Sequence, residues 1–495
     1  MLTLLKNNIV LFFYALLPGL ILLFGVSPFF NSVDTICMYS WSLASHVPHW
    51  QPGYLFFIRC INSILHGNLD INSSNYLLGV SVYITLCIQH IISSAALVFF
   101  VKCISNKKWI KYLNITIVNF LSPYVFAANM ISLEGLQGAI FCLIFGLTFV
   151  ITKENKNKNN LILFLFTAFL ASLFLRHESI LLIFFFLTFY LLQCWHDKKN
   201  LHHSFFVCII LMLAVGVNKT VNGTIKYFSD NTIEDISGRA GIYFLYYFDY
   251  YKSEKLKQHL NTDIGRKKIA KNMKAGTESE ILQAMIDPNL NSKHAWTGNY
   301  SETKKVLQKF RPEISDQELN SETDKFLKQI VILYIKTNKN LYFSQVVYII
   351  KTYFLLAWQG LYSGYFGLTA DFFQKSSQND ITKKVKFIFD FETKKREYIK
   401  LYQSPFFIQA GRVLSLLNWT ILNVIIMLFI YLQKHTRQKA FYLSISLLVF
   451  LFVYLLAISF VTVFVPRYSS IAFIVSSLIL VNNLTQLFSG LKGKI

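Results

Sequence analysis

Acidic residues are scarce in most of this chain. Its 495 residues contain 26 Asp and Glu against 48 Lys and Arg, and 20 of the acidic residues lie between positions 219 and 404. The net charge of +22 at pH 7 invites a nucleic-acid partner. Most basic residues outside that region, however, sit in short connections between apolar runs, so we expect no nucleic-acid partner.

Several sequence patterns are also missing. The 7 Cys are scattered, mostly within apolar runs, and form neither a disulfide framework nor a metal-ligand spacing. The chain has no glycine-rich phosphate loop, nucleophile elbow or HExxH motif, and no internal repeat. These absences exclude the common soluble nucleotide-binding and hydrolase classes, and no site for a nucleotide sugar is visible.

Apolar residues, in contrast, are abundant. They make up 54% of the chain, 47 of them are Phe, and the mean hydropathy is +0.43. Apolar runs of the length that a bilayer requires recur along the sequence, which predicts an all-α membrane protein with about 10 transmembrane helices. The predicted spans are 9–30, 76–101, 112–128, 135–152, 160–175, 179–195, 204–221, 406–432, 440–464 and 469–488.

The connections between these spans differ in basic charge. One set carries 15 Lys and Arg, and the other short connections carry 3, namely Arg59, Arg176 and Arg467. Because cytoplasmic loops are enriched in Lys and Arg, both termini are predicted to be cytoplasmic and the poorer set external.

The predicted topology divides the chain into three parts. Residues 1–221 form an N-terminal transmembrane module with an external loop at 31–75, and residues 405–495 form a C-terminal one. Between them, residues 222–404 are expected to form a large, mainly helical external domain that includes an interfacial or re-entrant segment at 345–361. That segment is apolar enough to cross, but a crossing would move the basic residues after 432 outside.

Six acidic residues lie outside the 219–404 region, and three of them stand on the external side at span ends: Asp34, Glu134 and Glu178. Carboxylates at a membrane boundary are costly unless they are solvated, paired or functional. With Arg176 and Arg467 at the same depth, they are expected to converge on one outward-facing polar site.

Each of these residues also has a structural interpretation. Asp34 is a favourable helix cap, and Glu134 in the first turn of a span meets the positive end of the helix dipole. Arg176-His177-Glu178 is compatible with a solvated hairpin tip, and Arg467 with an arginine that snorkels to the interface. The segment 35–75, with prolines among aromatic residues, favours helices lying in the outer interface, where His49 is an ordinary interfacial residue or a phosphate contact.

Five short features of the sequence form a pattern: an early Asp after the first span (Asp34), the step Trp50-Gln51-Pro52, the acidic opening of the fourth span (Glu134), "LRHES" at 175–179 and "PRY" at 466–468. Together they resemble the GT-C superfamily of polytopic glycosyltransferases. Within it the chain looks most like the bacterial Gtr-type serotype-converting glucosyltransferases of O-antigen. The resemblance covers residues 1–195 and 406–495. Gln51 stands where relatives often have His, and Glu134 where they often have Asp.

The resemblance implies transfer of a sugar, with glucose expected, from a polyprenyl phosphate to a lipid-linked O-antigen or another surface glycan. The enzyme would lie in the bacterial inner membrane, with its active site in the periplasm and inversion at the anomeric carbon.

The roles that the resemblance implies are catalytic for Asp34 and Glu134, with Asp34 as general base. Phosphate or donor binding falls to Arg176, Arg467, Tyr468 and His177. Acceptor binding or support falls to Glu178, His49, Trp50 and Gln51. No cofactor is required by these residues; a divalent cation between Asp34 and Glu134 stays open. The alternatives are an O-antigen polymerase and a flippase or transporter of lipid-linked sugars.

Overall fold

The computed structural model describes residues 8–26, 52–66, 75–132, 134–152, 158–196, 201–228, 419–432, 438–461 and 466–490, with isolated positions between 308 and 350. The predicted domain 222–404 lies almost wholly outside these residues. Throughout the described part of the chain the secondary structure is helical, without β-strands, as predicted. In hydrocarbon, helices satisfy every backbone N–H and C=O within one segment, which explains this uniformity.

The helices, numbered along the chain, coincide closely with the apolar runs. They are α1 (Ile9–Ile21, continued by a π-helical turn Leu22–Val26), α2 (Pro52–His66), α3 (Asn75–Ile104), α4 (Lys108–Leu121), α5 (Tyr124–Ala128), α6 (Glu134–Ile151), α7 (Lys158–Leu175), the 3-10 helix His177–Leu181, α8 (Leu182–His196), α9 (Leu201–Phe228), α10 (Trp419–Leu432), α11 (Gln438–Val461) and α12 (Pro466–Gly490).

Six of these helical segments are long and apolar enough to cross a membrane, which indicates a multi-pass membrane protein. They are Val80–Ile104, Glu134–Ile151, His177–Trp195, Phe206–Thr224, Lys439–Ser459 and Ser470–Phe488. Three shorter apolar helices are Ile9–Phe24, Asn159–Leu175 and Ile421–Leu432. The total of ten spans stays a prediction.

Proline marks several boundaries. Pro52 and Pro466 open α2 and α12, where the missing N–H costs no hydrogen bond. The predicted span 112–128 is instead two helices, because α4 ends at the residue before Ser122-Pro123, and the residue preceding a proline avoids helical geometry.

Helix α6 is the centre of the bundle. It packs along α3 on one side and α7 on the other, and nearly all of its side chains are buried. Phe145 of α6 packs against Phe185 of α8 with ring centroids 4.8 Å apart, and Phe450 of α11 closes the same cluster. Around this core, α9 exposes large apolar side chains such as Phe206 and Met212, as expected for a lipid-facing helix.

Lysine-bearing connections meet at one end of the bundle, which we call the lysine end. There Lys107 donates to the carbonyl oxygen of Phe488 at 2.7 Å, and Lys439 donates to the carbonyl oxygen of Thr152. Packing of α11 on α12 joins the two pairs. Glu134, at the start of α6, and Arg176, directly after the end of α7, lie at the opposite end of the bundle.

Helix α2 differs from expectation. Tyr54 donates a hydrogen bond to Gln89, and Ser81 donates one to Asn62, so α2 runs antiparallel along the first half of α3. The sequence suggested helices lying flat in the outer interface. An apolar α2 buries its side chains better against a neighbouring helix, and Tyr54, Leu55 and Ile58 are accordingly buried.

Candidate active site

An arginine bound between two glutamates forms the core of the site. Arg176 Nη1 donates to Glu134 Oε1 at 2.5 Å. On its other side, Arg176 Nε and Nη2 donate to the two carboxylate oxygens of Glu178, each at 3.2 Å. Glu134 and Arg176 are 3% and 5% exposed, whereas Glu178 is 31% exposed. Of the five side chains expected to converge, the structure brings Glu134, Arg176 and Glu178 together, while Asp34 and the side chain of Arg467 lie outside the described residues.

Local backbone geometry places each member of this carboxylate cluster. Arg176 is extended, with φ −148° and ψ 136°, and separates α7 from the 3-10 helix that carries Glu178. Its N–H donates to the Ser172 carbonyl oxygen, and its own carbonyl oxygen accepts from the Ser179 N–H. These bonds fix the hairpin that was predicted at 176–178. Glu134 opens α6, where its negative charge faces the positive end of the helix dipole.

The charge of the cluster decides which ligands it suits. One guanidinium between two carboxylates leaves a formal charge of −1, in a place where burial strengthens electrostatic interactions. Arg176 was predicted to bind a phosphate, but three of its N–H groups donate to carboxylates. In this arrangement the cluster suits a hydroxyl donor or a developing positive charge better than an anion.

Gln137 extends the site and was missed by the sequence analysis. It lies one turn after Glu134 on α6, and its Nε2 donates to Ser172 Oγ at 3.2 Å and Ser179 Oγ at 2.8 Å. Gln137 is buried, and its Oε1 has no hydrogen-bond partner among the described residues. The spacing from Glu134 to Gln137 places both on one face of α6 and was the available signal.

Two polar residues of α3, Gln89 and His90, bond to the chain segment that precedes Glu134. Gln89 donates from Nε2 to the carbonyl oxygens of Ala128, at 2.9 Å, and Met130, at 3.1 Å. These residues belong to the chain segment that leads into Glu134. His90, the next residue on α3, hydrogen-bonds to Asn129 Oδ1 at 3.1 Å. Sequence analysis gave no reason to single out polar residues within the α3 apolar run.

The remaining predicted site residues are only partly described. Asp34, His49, Trp50 and Gln51 lie outside the described residues. Arg467 and Tyr468 lie in the first turn of α12, and the structure describes their backbone but not their side chains. His177 is exposed, in the 3-10 helix between Arg176 and Glu178. Their proposed roles stay predictions.

The lengths of α6 and α7 give the distance between the two ends of the bundle. Helices α6 and α7 each contain 18 residues and so span about 27 Å between their ends. That length is close to the hydrocarbon thickness of a bilayer, roughly 30 Å. The carboxylate cluster and the lysine end are therefore separated by roughly the hydrocarbon thickness of a bilayer.

A metal site cannot be assembled from the described side chains, among which no group of three His, Cys, Asp or Glu could hold an ion. Comparisons with protein-family models, curated proteins and solved structures found no match to this chain.

Proposed function

We propose that this protein is a GT-C-type glycosyltransferase of a bacterial inner membrane, which moves a sugar, with glucose expected, from a polyprenyl phosphate to a lipid-linked O-antigen or related glycan. The observation that carries the proposal is the buried, net negative carboxylate cluster at the end of the bundle opposite the lysine end. We place that end at headgroup depth as part of the proposal. Ten spans, cytoplasmic termini and a periplasmic domain at 222–404 belong to the same proposal.

The chemistry requires a negative site. As the acceptor oxygen attacks the anomeric carbon, the sugar ring gains positive charge and the acceptor hydroxyl loses its proton. Asp34, which follows α1 in the sequence, takes the proton. Glu178, the accessible member of the cluster, accepts hydrogen bonds from sugar hydroxyls, while Glu134 stays bound to Arg176.

The departing phosphate requires a cation that is not already bound to carboxylates. Arg176 is therefore assigned to holding the two glutamates, and Arg467 to the phosphate, assisted by Tyr468 and His177. Opening α12, Arg467 also lies where a helix N-terminus favours an anion. His49, Trp50 and Gln51, which directly precede α2, would contact the acceptor.

One observation favours the transporter alternative. Helix α3 buries a polar residue at every fourth position, from Ser81 through Thr85 and Gln89 to Ser93. A polar stripe of this kind can line a translocation path. In this bundle, Ser81 and Gln89 bond across to α2 instead, which is typical of side chains that join membrane helices.

Sugar transfer in isolated membranes tests the proposal. Labelled polyprenyl-phosphate glucose and lipid-linked O-antigen are supplied to wild type and to Asp34→Asn, at matched expression. Losing a general base lowers the rate by about 10²–10⁴-fold. Asp197→Asn, a carboxylate on the predicted cytoplasmic side, is the matched control and should retain the wild-type rate.

The other outcomes are equally informative. Transfer by both Asp34→Asn and wild type would refute Asp34 as base and redirect attention to Glu178. Labelling only when a polyprenyl-linked glycan is the donor would identify a polymerase. No transfer by wild type, together with movement of the labelled lipid between leaflets, would establish the transporter alternative.

A further inference from the structure

Gln89 is fully buried at the middle of α3, and its side chain bonds to two separate elements. Its two N–H groups donate to the last residue of α5 and the segment that follows it, at the carbonyl oxygens of Ala128 and Met130. Its Oε1 accepts from the hydroxyl group of Tyr54 on α2. Because only the NH₂ group can face two carbonyl oxygens, the orientation of this amide is determined by its partners.

The two elements that Gln89 joins both lead to the proposed active site. Ser132, two residues beyond Met130, accepts through its carbonyl oxygen from the N–H of Gly135, and this bond opens the helix that begins with Glu134. A methyl group added at Gly135 would lie 2.6 Å from Gln89 Nε2, so Gln89 also packs directly on that first turn.

Tyr54 anchors the other element. Two residues before it, Pro52 opens α2 immediately after Trp50-Gln51. A methyl group at Gly53 would come within 2.7 Å of the Phe174 carbonyl oxygen, two residues before Arg176. Since Arg176 in turn binds Glu134, the contacts form a closed ring that passes through α3, the segment after α5, α6, the end of α7 and the start of α2.

We propose that Gln89 is a positioning residue, which sets the separation between the carboxylate cluster and the start of α2 at Pro52. The functional part of this inference rests on the proposed glycosyltransferase activity; the structural part does not. A packing role alone would require a side chain of this volume, whereas positioning requires its two N–H donors.

Gln89→Glu separates these roles because it keeps the size and removes donors. An ionised carboxylate repels both carbonyl oxygens, and a protonated one can donate to only one of them. The matched control is Asn482→Asp near the lysine end. Asn482 is also buried, and its Nδ2 donates to Ala440 O at 2.7 Å and Ser444 Oγ at 2.8 Å.

Steady-state kinetics on purified full-length protein give the functional readout. Misplacing reacting groups by about 1 Å can cost about 10²-fold in rate, so kcat should fall by about 10–100-fold in Gln89→Glu, with little change in the KM for the donor. Asn482→Asp should lose thermal stability to a similar extent but keep its kcat. Equal loss of kcat in both variants would overturn the proposal.

Hydrogen exchange provides a readout that does not depend on activity. In Gln89→Glu, amides of residues 128–135 and 55–60 should exchange at least about tenfold faster, and in Asn482→Asp they should not. If wild type transfers no sugar, this measurement still decides the structural claim. Tyr54→Phe, a milder change, should accelerate exchange at 55–60 alone. Unchanged exchange in both segments in Tyr54→Phe and Gln89→Glu would refute the positioning role.

Discussion

Replacing Arg176 by Met should destabilise this protein more than removing either of its glutamate partners. The substitution takes the cluster from a formal charge of −1 to −2 and strands Glu134, which is 3% exposed. Removing one partner of a buried ion pair costs about 3–5 kcal/mol, because the remaining charge is desolvated without compensation. Glu178 contributes less to that cost because water reaches it.

The neutral variants Glu134→Gln and Glu178→Gln each leave Arg176 bound to one carboxylate, and an amide oxygen can still accept from the guanidinium. We therefore expect losses of about 1–3 kcal/mol for Glu134→Gln and less for Glu178→Gln. In the Arg176→Met background, Glu134→Gln should restore stability, since it removes the stranded charge. Coupling energies of 0.5–3 kcal/mol are typical of such contacts, and about 2 kcal/mol is expected here.

The four proteins of the Glu134–Arg176 double-mutant cycle are purified in detergent. Their unfolding is measured on heating and on titration with a denaturing detergent. Lys439→Met, which removes an exposed cation bound to one carbonyl oxygen, is the control and should change stability by about 0.5 kcal/mol or less. If Arg176→Met is no less stable than Lys439→Met, or if Glu134→Gln restores nothing, the ion pair is not buried as described and the charge argument fails.

Two further predictions concern packing and topology. Gly135→Ala should lower the free energy of unfolding by about 1–3 kcal/mol, because the added methyl group overpacks against Gln89. Gly216→Ala on α9, where an added methyl group meets nothing within 4 Å, should leave stability unchanged or raise it by up to about 1 kcal/mol. Equal shifts in melting temperature for the two variants would contradict this. In a cysteine-free background, a membrane-impermeant maleimide applied from outside should label His177→Cys and not Asn106→Cys, and the reverse pattern would invert the topology.

The helices were predictable because the bilayer imposes both their length and their hydrogen bonding. Helices α7 and α8, separated by the 3-10 helix, show that the 161–195 stretch is two helices rather than one, as the charged residues at 176–178 predicted. The break between α4 and α5 was missed, because an apolar run continues across Ser122-Pro123 and hydropathy alone does not register the change of direction.

The cluster was predictable in membership but not in pairing. Charges at span ends identify Glu134, Arg176 and Glu178, since each is costly at a membrane boundary. Spacing cannot show that the arginine donates to both glutamates. Its predicted contact with a phosphate stays a prediction. Gln89 and Gln137 could not be identified from the sequence for a different reason. The role of a polar residue within an apolar run depends on which neighbouring helix its side chain contacts.

In the proposed glycosyltransferase, the register between α6 and α12 would allow a negative cluster to serve a negatively charged donor. A methyl group at Gly138 would lie 3.3 Å from the Ile474 side chain, so these two positions share a level. Both helices run from the carboxylate end to the lysine end. Counting back along each, Glu134 is four residues above that level and Arg467 is seven, so the Arg467 backbone lies roughly 5 Å further out. In the proposed reaction, a phosphate held by Arg467 would lie further out than Glu134. Repulsion between the phosphate and the carboxylates would then favour a donor whose phosphate stays at that outer level.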